Sequence, residues 1–176
     1  MTKVLPYLLP SVLICLIFVA WQEFDNAVRE VKARELFSQS NVNDQLDYEE
    51  KVLQAIGLLE YRNLLGHNVI VNAYLTGFYY QSLVFNLDDG EKSALYAQKA
   101  IPYFLISTKQ TPTFATGWAN LAQLQWLLDA DSDKYKHYVQ QAHRLGMYEF
   151  QAHVKLMALG VWIAESEQEF DNHELS

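Results

Sequence analysis

The sequence predicts an all-α protein in which an N-terminal transmembrane helix precedes a stack of helix hairpins. Three observations lead there. Val4 to Trp21 forms a run of eighteen residues without a charge. Beyond it, apolar residues recur at the 3.6-residue period of amphipathic helices, and no segment keeps the strict alternation of a half-buried strand.

A helix needs about twenty mostly apolar residues to cross a roughly 30 Å hydrocarbon core, so Val4 to Trp21 with its short flank suffices to meet the lipid bilayer. Pro6 and Pro10 fall in its first turns, where a missing backbone donor costs least. A cleavable secretory signal is the competing reading, with Lys3 as its basic leader. Small residues should then stand ahead of Trp21, and bulky Phe18 spoils that site, so the expectation is a retained anchor. Lys3 lies on one flank of the run and Arg29, Lys32 and Arg34 on the other, diluted by Glu23, Asp25, Glu30 and Glu35. The three-residue flank resembles those of single-pass anchors of the bacterial inner membrane, which implies a periplasmic soluble part.

Length and charge bound the remainder. The chain has 176 residues, and without anchor and tail about 120 remain, enough for one compact domain. The formal charge of −8 argues against a nucleic-acid partner, which needs a clustered basic face. Residues 41–90 carry −5 and residues 164–176 another −5, whereas residues 91–163 carry +2. The only cysteine, Cys15, lies inside the apolar run, so neither a disulfide framework nor a thiolate metal site is available. Leu13-Ile14-Cys15 also lacks the small residues of a lipoprotein cleavage box.

The elements follow in order. Phe24, Ala27, Val28 and Val31 continue the helical period beyond the anchor, which predicts a stalk ending in the polar break Ser38 to Asp44. Asp47 with Glu50 three residues later reads as a capping box. Val52, Ala55, Ile56 and Leu59 mark the face of the helix it opens, and Gly66 is placed to stop it. His67 to Leu87 is apolar on most sides and should be central, closed by Asp88-Asp89-Gly90. In Glu91 to Lys109, Pro102 predicts a bend or division. Thr111-Pro112 reads as the start of a helix through Leu128, with a stripe of Phe114, Trp118, Leu121 and Leu128 and a small face of Ala115, Ala119 and Ala122. Tyr135, Tyr138, Val139, Ala142 and Leu145 define the next helix, ended by Gly146, and Phe150, Val154, Met157, Ala158 and Val161 define the last. The divisions are thus 1–21 for the transmembrane anchor, 22–46 for stalk helix and connector, 47–163 for the helical domain, and 164–176 for a solvated acidic tail.

Trp118-Ala119-Asn120-Leu121-Ala122, followed after a turn by Tyr138, Ala142 and Leu145, resembles one tetratricopeptide unit. Ala100, Phe104 and Pro112 resemble the second half of an earlier unit. The match covers about residues 91–163 and is degenerate: Gln125 stands where a second aromatic is expected and Met147 where the closing proline is expected. It implies a tetratricopeptide-like stack of hairpins. The short anchor plus degenerate repeat is also similar to small VpsP-type proteins of bacterial exopolysaccharide gene clusters, which implies a role in envelope polysaccharide biosynthesis or export.

Chemistry is sparse in this chain. Among His67, His137, His143, His153 and His173, His153 has a potential co-ligand at helical spacing, Glu149, and no second histidine supports a metal site. The seven glycines are isolated, so no phosphate loop exists, and the carboxylate pairs Glu49-Glu50 and Asp88-Asp89 stand where a helix start and a turn explain them. No catalytic residue, cofactor or metal is expected.

Aromatic residues are the compositional anomaly, with eleven Tyr, nine Phe and four Trp. Phe78, Tyr79, Tyr80 and Phe85, with Tyr96, Tyr103 and Phe104, exceed what a leucine core requires, although packing absorbs many such rings. Trp126, eight residues after Trp118 and beside Gln123 and Gln125, is the candidate for a concave partner-binding surface formed by Trp118, Gln123 and Trp126. The expectation is a membrane-anchored scaffold or adaptor for a protein partner. The alternative is a carbohydrate or lipid-linked-sugar site, possibly enzymatic, in an aromatic pocket between helices.

Overall fold

The computed structural model describes the backbone of residues 5–60 and 69–174 and the side-chain surroundings of residues 10–60 and 71–164. Gly66 and His67, read above as a helix stop and a helix end, lie outside these residues. Among them are seven α-helices and no strand: α1 (Leu5–Gln39), α2 (Gln45–Leu59), α3 (Val69–Asn86), α4 (Gly90–Gln110), α5 (Ala115–Leu128), α6 (Asp133–Leu145) and α7 (Phe150–Glu174). A 3-10 turn, Gly146–Tyr148, joins the last two. Each of α1 to α6 packs on the next, whereas α7 lies more on α5 than on α6.

Helix α1 is unbroken for 35 residues. Its apolar beginning passes the length and composition required to cross a membrane, with a mean hydropathy of 1.4 over the best window and 6% of that window buried. Its end belongs to the domain. Ala33 is fully buried, and the Phe37 ring stacks on Tyr79 with centroids 4.4 Å apart and planes 12° from parallel. The segment read as stalk therefore forms a wall of the core. Its outward stripe is the one the periodicity singled out, since Phe24 and Val31 are exposed while Asn26 and Ala33 face inward.

Several helix ends differ from expectation for local reasons. Helix α2 begins one turn early because Asp44, not Asp47, accepts at the cap, from the Asp47 amide. Asp47 instead pairs with Lys51 at 2.8 Å, one turn ahead. Helix α4 is not divided at Pro102, whose side is exposed, so solvent can serve the carbonyl left without a donor. Thr111 does not open α5 but closes α4: its amide and hydroxyl both donate to the Ser107 carbonyl. Pro112 lies in the turn, and α5 starts three residues later. Gly146 ends α6 without a left-handed backbone, at φ −81°. It is needed for space, because a Cβ there would stand 3.0 Å from that of Ala152.

The core runs through the middle of the stack. Val52 and Ile56 of α2, Leu83 of α3, Phe104 of α4, and Leu121 and Leu124 of α5 are buried together. The small face of α5 was read correctly, with Ala115, Ala119 and Ala122 all fully buried. Helix α7 reverses its expected orientation: Ala152 and Leu159 are buried, while Phe150, Val154, Met157 and Val161 are exposed. Its backbone stays helical through Glu174, into the segment read as the acidic tail.

Candidate functional site

Most of the surplus aromatics fasten helices together. Tyr96, Tyr80 and Tyr103 form a ladder with successive centroids 6.0 and 5.9 Å apart. Carboxylates from α2 and its end hold the hydroxyls: Glu49 accepts from Tyr96 at 2.6 Å, and Glu60 from Tyr80 at 3.1 Å and Tyr103 at 2.7 Å. Lys92 also donates to Glu49, and Lys99 lies 5.9 Å from the Tyr80 ring and 5.5 Å from that of Tyr96. The Lys92 ammonium, then the Tyr96 hydroxyl, hold the Glu49 carboxyl below its ordinary range. Burial, then the bond to Glu49, pushes the Tyr96 phenol up to about 12. Tyr80 and Tyr96 are buried in this ladder and Tyr103 is half-buried, which leaves little ring face for a sugar.

The three residues expected to bind a partner do not share an open face. Gln123 is buried, receiving a hydrogen bond from Gln81 and donating to the Lys155 carbonyl at 3.2 Å. It therefore ties α5 to α3 and α7. Trp118 is half-buried, its indole N–H donating to the Pro112 carbonyl at 2.8 Å and its ring edge-on to His137. Trp126 is half-buried against Trp162, which in turn meets Phe85 at 5.2 Å. The i, i+8 pair does not mark one surface, because Trp126 faces Trp162 of α7 whereas Trp118 faces His137 and Tyr138 of α6.

Glu149 has a role the spacing to His153 did not suggest. Helix α5 has Phe114 at its cap and so lacks a capping side chain of its own. Glu149 supplies one from 34 residues on, accepting from the Ala115 amide at 2.9 Å, the Thr116 amide at 3.2 Å and the Thr116 hydroxyl. A carboxylate at a helix start also meets the positive end of the helix dipole. His153 turns elsewhere, toward the Met147 carbonyl at 3.3 Å. Among the described residues no group of three or more His, Cys, Asp or Glu is arranged to hold a metal ion.

Two open recesses border the described residues. One, of about 650 Å³, is bordered by Arg34, Tyr74, Ser107, Thr113, Phe114 and Glu149. Its charges are engaged, Arg34 with Glu30 at 2.8 Å and Glu149 at the start of α5. The other, of about 600 Å³, is a groove between α6 and α7 walled by Tyr135, Val139, Leu156, Leu159 and Ile163, with His143 and Arg144 among its borders. From α7 it is lined by Leu156, Leu159, Gly160 and Ile163, and not by the exposed Phe150, Val154, Met157 and Val161. The sequence carried the signal for this surface, because α7 is apolar on two sides, yet periodicity alone does not say which side is buried. Burial pushes the Lys155 ammonium, on the inward part of α7, below the ordinary lysine range.

Comparison with known proteins returns no matching family model, no similar curated protein and no similar solved structure.

Proposed function

We propose that this chain is a membrane-anchored helical adaptor, in which α1 is held in the bilayer and the helices after it present a surface to a protein partner. The observation that carries this reading is the continuity of α1, which is apolar and exposed at its beginning and packed into the core at Ala33 and Phe37. A helix shared in that way makes membrane attachment part of the domain's architecture. The hairpins α3/α4 and α5/α6, with α7 laid across α5, favour a tetratricopeptide-like stack, an architecture that works by binding along extended surfaces. Within that reading the chain sits in the bacterial inner membrane with its soluble part in the periplasm, as an accessory to envelope polysaccharide biosynthesis or export.

A compartment-sensitive reporter fused after Ser176 tests the orientation, and only periplasmic activity fits. Affinity isolation of the full chain from membranes tests the adaptor role. A partner that remains bound in mild detergent is expected, and repeated recovery of the chain alone would sink the reading. A carbohydrate site is not favoured, since Tyr80 and Tyr96 of the ladder are buried. Calorimetry with envelope glycans should show no saturable heat.

A further inference from the structure

We propose that the outward face of α7 docks an amphipathic helix of another protein, one that carries a cluster of lysines or arginines at one end. This rests on the adaptor reading and names the chemistry of the partner. Phe150, Val154, Met157 and Val161 are spaced by four, three and four residues, which places them within about 60° of arc along about 16 Å of helix. All four are exposed, Phe150 by 73% and Met157 by 71%. The core does not use them, because Ala152 and Leu159 on the opposite side already close it. An exposed apolar helix strip of this spacing matches a partner helix with anchors at i, i+3/4 and i+7.

The charge around the strip selects the partner. The helix continues past Ile163 through Glu174, and the sequence sets Glu165, Glu167, Glu169, Asp171 and Glu174 there, with no lysine or arginine after Lys155. Tyr135, in the first turn of α6, lines the same groove as Ile163, so Asp129, Asp131 and Asp133 lie toward this end as well. Against these eight carboxylates stand only Lys134 and Lys136 nearby in sequence. The carboxyl end of a helix dipole adds to the same sign. Such a field attracts cations and steers a basic segment, while it repels an anionic lipid surface, which amphipathic helices approach with basic faces. A second copy of this chain answers it poorly. Near the other end of α7 its only arginine or lysine is Arg144, because Lys155 is turned inward and partly buried.

The test uses the full chain in native membranes, with a photo-activated benzophenone amino acid replacing Met157 and, as control, Leu95, which is exposed on α4. The expected result is one protein captured through position 157 and not through 95. Mass spectrometry of the joined peptide should give an apolar helix repeat ending in lysines or arginines. Replacing Glu165, Glu167 and Glu169 by Lys should lower that capture roughly tenfold, and salt should weaken it in the parent chain, since these are surface charges. Capture of a second copy of this chain, of lipid, or of a segment without basic residues overturns the proposal, as does capture indifferent to the three substitutions. If position 157 captures nothing while a partner still co-purifies, the adaptor reading stands and this surface is wrong. If nothing co-purifies, the adaptor reading itself fails.

Discussion

Trp126 stacks on Trp162 with ring centroids 5.9 Å apart and planes 30° from parallel, and the pair joins α5 to α7. Truncating either indole removes a large packed surface. Trp126→Ala should therefore cost about 2–4 kcal/mol of unfolding free energy. In a double-mutant cycle with Trp162→Ala, coupling of about 0.5–1.5 kcal/mol is expected. Urea unfolding of the chain in detergent reads both, and an unchanged midpoint would show that the stack does not hold these helices together.

Glu149 serves α5 from outside its own segment, so its removal should loosen the start of that helix first. Glu149→Ala should cost about 1–2 kcal/mol, in the range of a lost cap. Glu149→Gln, which keeps an acceptor but no charge, should lose less. Hydrogen exchange at the Ala115 and Thr116 amides is the decisive readout, because a lesion that acted elsewhere would leave their protection intact.

The glycines divide by the room around them. A Cβ at Gly57 or Gly160 meets nothing within 4 Å, so Gly57→Ala and Gly160→Ala should each stabilise their helices by about 0.5–1 kcal/mol. At Gly117 a Cβ would stand 2.9 Å from Thr108 Cγ2, where α4 and α5 approach closely. Gly117→Ala should lower the melting temperature despite the better helix propensity. The same sign at all three positions would contradict the packing between α4 and α5.

Glu49 links acidity to stability. Its carboxyl is held below the ordinary value of 4.5 in the folded chain by Lys92 and Tyr96. That contribution is complete above the unfolded value and is lost as pH falls from there through the folded one. Melting temperatures taken from pH 7 to 3 should decline below about pH 4.5, and Glu49→Gln should flatten part of that decline. A parallel pair of curves would remove the link.

Periodicity revealed the existence of the helices because each one is apolar enough to announce itself in single-sequence spacing. Its failures share a physical origin. In α1 and α7 the more continuous apolar stripe faces outward, since one meets solvent or lipid beyond Trp21 and the other flanks an open groove. A stripe rule assumes that the apolar side is the buried one, and the outermost helices of a stack can break it. The surroundings of Trp118, Gln123 and Trp126 were illegible for the converse reason, these being polar or amphipathic side chains whose partners, Pro112, Gln81 and Trp162, are remote in sequence or lie in a turn. The cap of α5 was out of reach in the same way, because Glu149 is 34 residues from Ala115.

Because α1 passes without interruption from the apolar run to the Phe37–Tyr79 stack, the proposed anchoring would make the rotation of the domain about the membrane normal a matter of helical phase. A single alanine inserted between Gln22 and Asp25 would turn everything after it by about 100° and raise it by about 1.5 Å. Seven alanines would nearly restore the heading at a greater height, about 10 Å farther out. On the proposed anchoring, what the chain touches depends on the direction it faces as much as on the surface it carries.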